Sequence, residues 1–344
     1  MKCKLCLARE ADKTGSHIVP AFILKTLFER NKEFVVSISD KDVANHVGRE
    51  LTPEKIKEYM GRDLSDKEIE KNHIPFIEDY ILCSICENRI GHLESLYASR
   101  IHAVISKKEC EIDEIADFGK DGFLVSLFWY SVIWRYSIST KNPFSLKIKN
   151  QKSLRNYLDR NLQSTIQGLE EHISGEPECI NYPIGVFFNS NAVIKSSSNP
   201  VFGLTQQANP YFLFFNEYVV ILFFKDSQIK GIKHTFFGLE KSFEYTEHIN
   251  TNGKALNIGV IKNSVWEDIK AKVFQSLAKM KHQEFVQMFS FIANHYNLDF
   301  NKKHIKIFID RILNDDTTFA DRYDKGRVLE ILKEELIKIP IKVG

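Results

Sequence analysis

The sequence predicts an α+β fold in two parts, on three observations. Four of the six cysteines fall in the first hundred residues, as two Cys-x-x-Cys pairs. The middle of the chain is a series of short aromatic and β-branched runs separated by Asn, Ser, Gly and Pro, which is strand patterning. The end of the chain returns to apolar positions at three- and four-residue spacing, which is helix patterning. The expected division is a small cysteine-bearing domain over residues 1–110, with an insert near 41–71, and a larger mixed domain over 115–344 whose C-terminus is helical.

Composition sets the bounds. The chain has 344 residues, 43% hydrophobic and 27% charged, with only 16 Gly and 9 Pro. It can bury a substantial core, and it is neither disordered, collagen-like nor a disulfide-dense secreted scaffold. Lys and Arg total 47 against 45 Asp and Glu, a net charge of +2, so no global basic field draws in nucleic acid. Any such binding must be local. The N-terminus, Met1-Lys2-Cys3-Lys4-Leu5-Cys6, lacks the long apolar run of a signal peptide. The most apolar stretch, Phe123 to Trp134, is closed by Gly122 and Arg135. It falls short of the roughly 20 residues a bilayer span needs, so it reads as a buried helix. The expectation is a cytoplasmic chain with no membrane partner and with reduced thiols.

The elements follow in order. Between Lys41 and Lys71 two short surface helices are expected, capped by Thr52 and Ser65, with Pro53 at a first helical position. From Glu87 the apolar stripe Ile90, Leu93, Tyr97, Ile101, Val104 predicts a long helix. A central helix over Phe123–Ser137 and a polar amphipathic one over Ser153–Ile173 come next. Strands are expected at Ile184–Phe188, Tyr211–Phe215, Tyr218–Phe224, Lys233–Phe237 and Ile258–Lys262, with a tight hairpin at Phe215-Asn216-Glu217-Tyr218. Ser264-Val265-Trp266-Glu267 reads as a capping box. Helices over 265–280, 283–296, 301–313 and 325–338 complete the chain.

The chemistry lies in the cysteine pairs. Cys3/Cys6 and Cys83/Cys86 offer four soft thiolates, the donor set of a structural Zn²⁺ site. The 76 residues between the pairs exceed a simple ribbon, and the insert near 41–71 accounts for much of the excess. Cys110 and Cys179 have no partner by spacing and read as core residues. If one metal takes both pairs, it ties the first knuckle to the start of the helix at Glu87. His17 then faces the first helical turn, where Glu87, Gly91 and Glu94 share a face with His92 nearby.

Cys3-Lys4-Leu5-Cys6, Ser16-His17-Ile18-Val19-Pro20 and Leu82-Cys83-Ser84-Ile85-Cys86-Glu87 together resemble the HNH endonucleases, a treble-clef zinc-finger family with a ββα-metal site. In particular they resemble a bacterial, defence-type subgroup with Ser-His-Ile-x-Pro and Cys-x-x-Cys-Glu. The resemblance covers residues 1–105, about a third of the chain. It implies a treble-clef domain, metal-dependent hydrolysis of phosphodiesters, DNA as substrate and a role in antiphage defence. It puts His17 in the place of the general base, a task that suits a side chain titrating near neutrality. Glu87 takes the place of a metal ligand, for Mg²⁺ or Mn²⁺. Arg89 and Arg100, on the same helix, become candidate phosphate contacts.

The chain departs from the family at two points. Ser16 stands where the family has a metal-binding Asp. The family's middle Asn has no match: Glu78 and Asp79 occupy that neighbourhood, and Asn72 lies earlier. Asp79 or Glu94 would have to supply the missing carboxylate. The alternative is a catalytically degenerate zinc module that binds nucleic acid or a partner protein, or a scaffold whose zinc only stabilises the fold.

Residues 115–344 hold no phosphate-binding Gly loop, no Gly-x-Ser-x-Gly and no His-Glu-x-x-His. His234, His248, His282, His295 and His304 are too scattered to form a metal set. The lysine-rich pieces Lys147–Lys152 and Lys302–Lys306 could contact phosphates, with a solvated surface as the simpler reading. Because an uncontrolled nuclease harms its host, the larger domain is expected to sense a ligand, to self-associate, or to dock on a regulatory partner such as an ATPase.

Overall fold

The computed structural model describes residues 1–30, 34–38, 43–47, 76–110, 112–142, 144–175, 182–190, 201–204, 210–229, 256–315 and 325–342. The chain is mixed α+β and forms two compact units. The first comprises Met1–Lys32, Ser37–Asp42 and His73–Lys272, and the second Glu33–Val36, Val43–Asn72 and Val273–Gly344. These units divide the chain elsewhere than at residues 110–115, both sides of which lie in the first unit.

In the first unit the strand Ser16–His17 (β1) leads through Pro20 into the helix Ala21–Arg30 (α1). The strand Ile77–Glu78 (β4) returns antiparallel to β1, with Ser16 opposite Glu78 and His17 opposite Ile77. Two further strands, Phe34–Ile38 (β2) and Val43–Val47 (β3), form a separate pair that falls largely in the second unit. The helices expected around Thr52 and Ser65 lie outside the described residues.

Helix Ser84–Tyr97 (α2) buries Cys86, Ile90, Leu93, Leu96 and Tyr97 along one stripe. It runs on into a π-helical turn, Ala98–His102, and then Ala103–Ile105. The central helix Gly122–Ile138 (α3) buries almost every residue, including Arg135. The polar helix expected over 153–173 is two helices, Ile148–Asn161 (α4) and Ile166–Ser174 (α5). The break is local chemistry: Leu162 is extended, and the Thr165 hydroxyl accepts from Gly168 N at 3.0 Å as the N-cap of α5.

Six strands form one sheet in the order β5-β10-β6-β9-β8-β7, from Glu114–Ala116 (β5), Ile184–Phe188 (β6), Val201–Gly203 (β7), Tyr211–Phe215 (β8), Tyr218–Leu222 (β9) and Ile258–Val260 (β10). Among the described residues only β10 and β6 pair in parallel in this sheet. The Asn216 turn joins β8 to β9 with φ 58°, a left-handed conformation that Asn tolerates. Every residue of β6, β8 and β9 is buried, so both faces of the sheet are covered. Trp129 of α3 packs on Phe215 with ring centroids 5.6 Å apart. Trp266 packs on Phe214 at 5.5 Å. Neighbouring strand residues point to opposite faces, so the two tryptophans cover opposite sides of the sheet. The strand expected at Lys233–Phe237 lies outside the described residues.

Asn263–His295 (α6) is one helix of 33 residues where the sequence suggested two. Nothing at Lys281 or His282 breaks it, because neither residue is a helix breaker. The capping box expected at Ser264 does not start this helix. Lys262 O already accepts from Trp266 N at 3.1 Å, which puts Ser264 inside the first turn. In the second unit, the part of α6 beyond Val273 packs with Lys302–Leu313 (α7) and Lys325–Leu336 (α8) around Phe289, Phe308, Ile312 and Ile331, all fully buried. Among the described residues no helix is long and apolar enough to cross a membrane.

Candidate metal centre and the hairpin beside it

The N-terminal knuckle is a tight loop closed by its own backbone. Cys3 N donates to Arg9 O at 2.8 Å, and Leu7 N donates to Cys3 O at 3.0 Å with Leu7 at φ 59°. Lys4 N donates to Ile81 O at 2.9 Å, which seats the knuckle against the segment leading into α2. Cys83 is the N-cap of α2, in extended conformation, and Cys86 sits in its first turn. Asp12 reaches across to cap that helix, taking Ser84 N at 2.7 Å and Ser84 Oγ at 3.1 Å. The same bonds hold the Asp12 carboxyl below its ordinary pKa.

These contacts bring the four cysteine sulphurs together, all within 4.8 Å of one another. Cys6 Sγ and Cys83 Sγ are 4.0 Å apart, close to the ~3.8 Å that tetrahedral Zn–S bonds of about 2.3 Å impose. All four are free thiols, with Cys3, Cys83 and Cys86 buried and Cys6 half-buried. Four converging thiols, three of them buried, are a fitting donor set for a metal ion such as zinc. The sulphurs also interact strongly. A hydrogen bond from the Cys86 thiol lowers the Cys3 pKa to about 4, and the same bond raises that of Cys86. Burial raises Cys83. Thiolate character is therefore available in the cluster, and a divalent cation would stabilise more of it.

From the knuckle, residues 13–18 run antiparallel to 76–82. Lys13 N donates to Leu82 O at 3.1 Å, Tyr80 N to Lys13 O at 2.8 Å and Ile18 N to Phe76 O at 2.7 Å. Gly15 turns at φ 70° and donates to Asp79 Oδ1 at 2.6 Å. This hairpin carries Ser16 to the first turn of α2. The Ser16 hydroxyl, fully buried, donates to Glu87 Oε2 at 2.9 Å. His17 is half-buried beside it. Its carbonyl accepts from Arg135 Nη1 at 2.6 Å.

The other candidate residues are engaged within the fold. Asp79 accepts from Gly15, as above. Glu94 Oε1 contacts Arg135 Nη2 at 2.6 Å, an ion pair without the alignment of a directed hydrogen bond. Glu78 accepts from Ser139 Oγ at 2.7 Å, Thr140 N at 3.1 Å and Thr140 Oγ1 at 2.9 Å. Arg89 pairs with Asp159 at 3.0 Å and donates to Leu162 O. Arg100 pairs with Asp121 and Glu170. His92 Nε2 meets Ser164 O at 3.2 Å. Among the described residues the four cysteines are the one set of three or more His, Cys, Asp or Glu side chains whose ligand atoms converge.

Two residues here escaped the sequence reading. Arg135 had one signal, a lone cation in an otherwise apolar helix, and in the sequence it only bounds the apolar stretch Phe123–Trp134. Asp12 had none, because its partner Ser84 is 72 positions away. Cys110 is buried as expected, and Cys179 lies outside the described residues. No protein-family model, curated protein or solved structure matches this chain.

Proposed function

We propose that the knuckle, hairpin and α2 form a treble-clef zinc domain of the HNH type, and that it hydrolyses phosphodiester bonds of DNA. One observation carries the reading: the 2.9 Å bond from Ser16 to Glu87 closes the hairpin onto the first helical turn, beside His17. The chain order is knuckle, strand β1, a long insert, the returning strand β4 and then α2, with thiols from the knuckle and the helix start. That order supports the treble clef.

In this reading His17 accepts the proton of the attacking water. Among the described residues its imidazole has no hydrogen-bond partner, which leaves a ring nitrogen for that task. The Arg135 bond fixes the backbone of His17, and the Ser16 bond fixes the carboxylate of Glu87. Glu87 would hold Mg²⁺ or Mn²⁺ together with phosphate oxygens of the substrate. Such hard ions are often held by one or two carboxylates, with water and phosphate completing the shell, and this donor set fits that limited demand. When bound, the ion polarises the phosphate and stabilises the leaving oxygen.

A second reading rests on a specific observation: the carboxylates of Asp79 and Glu94 are committed to Gly15 and Arg135. A head lacking a second free carboxylate would be a zinc module that binds nucleic acid or a protein without cutting. Plasmid cleavage with Mg²⁺ or Mn²⁺ separates the two, comparing the wild-type chain with His17→Ala at equal zinc content. Metal-dependent cutting lost in the variant supports the nuclease. Absence of cutting by the folded, zinc-loaded wild type supports the binding module.

A further inference from the structure

We propose that α4 presents a DNA-backbone track beside the sulphur-bearing knuckle. The proposal rests on the nuclease reading for its choice of DNA as the polyanion, and on charge and placement for the rest. In α4 the residues Lys149, Lys152, Asn156 and Arg160 follow at spacings of three, four and four, so they share one face. Lys149, Lys152 and Arg160 are exposed, as is Lys147 just before the helix. The single acid of the helix, Asp159, is held by Arg89.

This face takes up the lysine-rich piece Lys147–Lys152 and adds Arg160, while the helix arginines suggested beside the motif drop out. Arg89 and Arg100 are spent on carboxylates inside the fold. Lys147, Lys149, Lys152 and Arg160 form no ion pair with any described residue. In a chain with nearly balanced charge, that is a local excess of free cations. Lys149 to Arg160 spans about 16 Å at 1.5 Å per residue. At 3.4 Å of axis per nucleotide, one DNA strand offers roughly five phosphates over that distance. Several cations along a face with no carboxylate among them match a repeating anion better than a single one.

Placement joins the track to the site. Arg155, on the same helix, donates to Leu5 O at 2.8 Å, inside the Cys3–Cys6 loop. Lys141 Nζ donates to Ile77 O, and Ile77 is the residue opposite His17 in the hairpin. The helix that bears the track is therefore anchored on the Cys3–Cys6 loop, and a strand lying along it would pass beside the knuckle.

The test is equilibrium binding of the full chain to a short fluorescein-labelled DNA duplex, with no added divalent ion, over a series of salt concentrations. Each lost phosphate contact lowers the slope of log affinity against log salt by about 0.9. The triple variant Lys149→Gln/Lys152→Gln/Arg160→Gln is expected to bind more weakly, with a slope reduced by about 2 to 3 and an unchanged melting temperature and zinc content. Each single variant should lose about 0.9, which covers failure of the triple variant to fold. Lys107→Gln, exposed elsewhere in the unit, should match wild type. An unchanged slope in the folded variants overturns the track, and so does wild type that ignores the duplex or prefers an RNA of the same length. Track-dependent binding without cleavage in Mg²⁺ would keep the track and discard the nuclease.

Discussion

Arg135 and Glu94 form an ion pair at 2.6 Å in which the arginine side chain is 1% exposed. The pair links α3 to α2, and the same guanidinium holds the carbonyl of His17 in β1. One buried cation thus fixes three elements of the candidate site. A charge taken out of water is tolerated only while it is paired.

Removing one member of that pair should therefore be costly. Arg135→Ala is expected to lose roughly 3–5 kcal/mol in urea unfolding, because Glu94 keeps its charge without a partner. The double variant Arg135→Met/Glu94→Leu should be clearly more stable than Arg135→Ala. A double variant no better than the single one would mean that the pair is not what destabilises Arg135→Ala.

Zinc should be structural for the first unit. Elemental analysis of the purified chain is expected to give one zinc per chain, and Cys86→Ser should lose it. Thiolate–zinc sites contribute well over ~4 kcal/mol in small zinc folds, so chelation should lower the melting temperature by roughly 10 °C. A chain that melts unchanged after complete zinc removal would show the four thiols to be ordinary core cysteines.

His102 gives the pH dependence a definite sign. The ring meets the Tyr218 hydroxyl at 2.7 Å and lies against Phe22 and Phe188. Burial lowers its pKa from 6.5 to about 4. Between those values the unfolded chain binds the extra proton and the folded chain does not. Its contribution is therefore complete above pH 6.5 and lost as pH falls towards 4, amounting to about 3 kcal/mol. Unfolding measured over this range should show less pH dependence in His102→Phe than in wild type. Equal slopes would mean that other groups carry the acid sensitivity.

Gly203 marks a close approach of backbone to ring. A methyl group there would overlap the Phe144 ring at Cδ2. Gly203→Ala is expected to cost about 1–3 kcal/mol in denaturant unfolding, as overpacking usually does. Adding Phe144→Leu should recover part of the loss. A neutral Gly203→Ala would show that the ring swings aside freely.

How much of this was legible depended on the range of the forces involved. The strands at Ile184, Tyr211 and Tyr218 declared themselves because a sheet buried on both faces needs continuous apolar runs. Central helix α3 did so for the same reason. The cysteine cluster was legible because thiolate ligands at Cys-x-x-Cys spacing carry their own signature. The two-residue strands β1 and β4 were not, since their pairing is set by contacts across some sixty positions. Helix α1, with apolar Phe22, Ile23 and Leu24 following Pro20 and Ala21, is not among the elements the sequence predicts. The commitments of Asp79, Glu94, Arg89 and Arg100 lay beyond sequence reading, because each depends on which partner the fold brings near.

The most direct test of the nuclease reading is chemical rescue. Cleavage of plasmid DNA in Mg²⁺ or Mn²⁺ would be followed for wild type and for zinc-loaded His17→Ala, with and without added imidazole. A positioned base is worth roughly 10²–10⁴ in rate. The account predicts a loss of that order in the variant, partly restored by imidazole in proportion to its neutral form. Equal cutting by both proteins, or none by folded, zinc-loaded wild type, would contradict it.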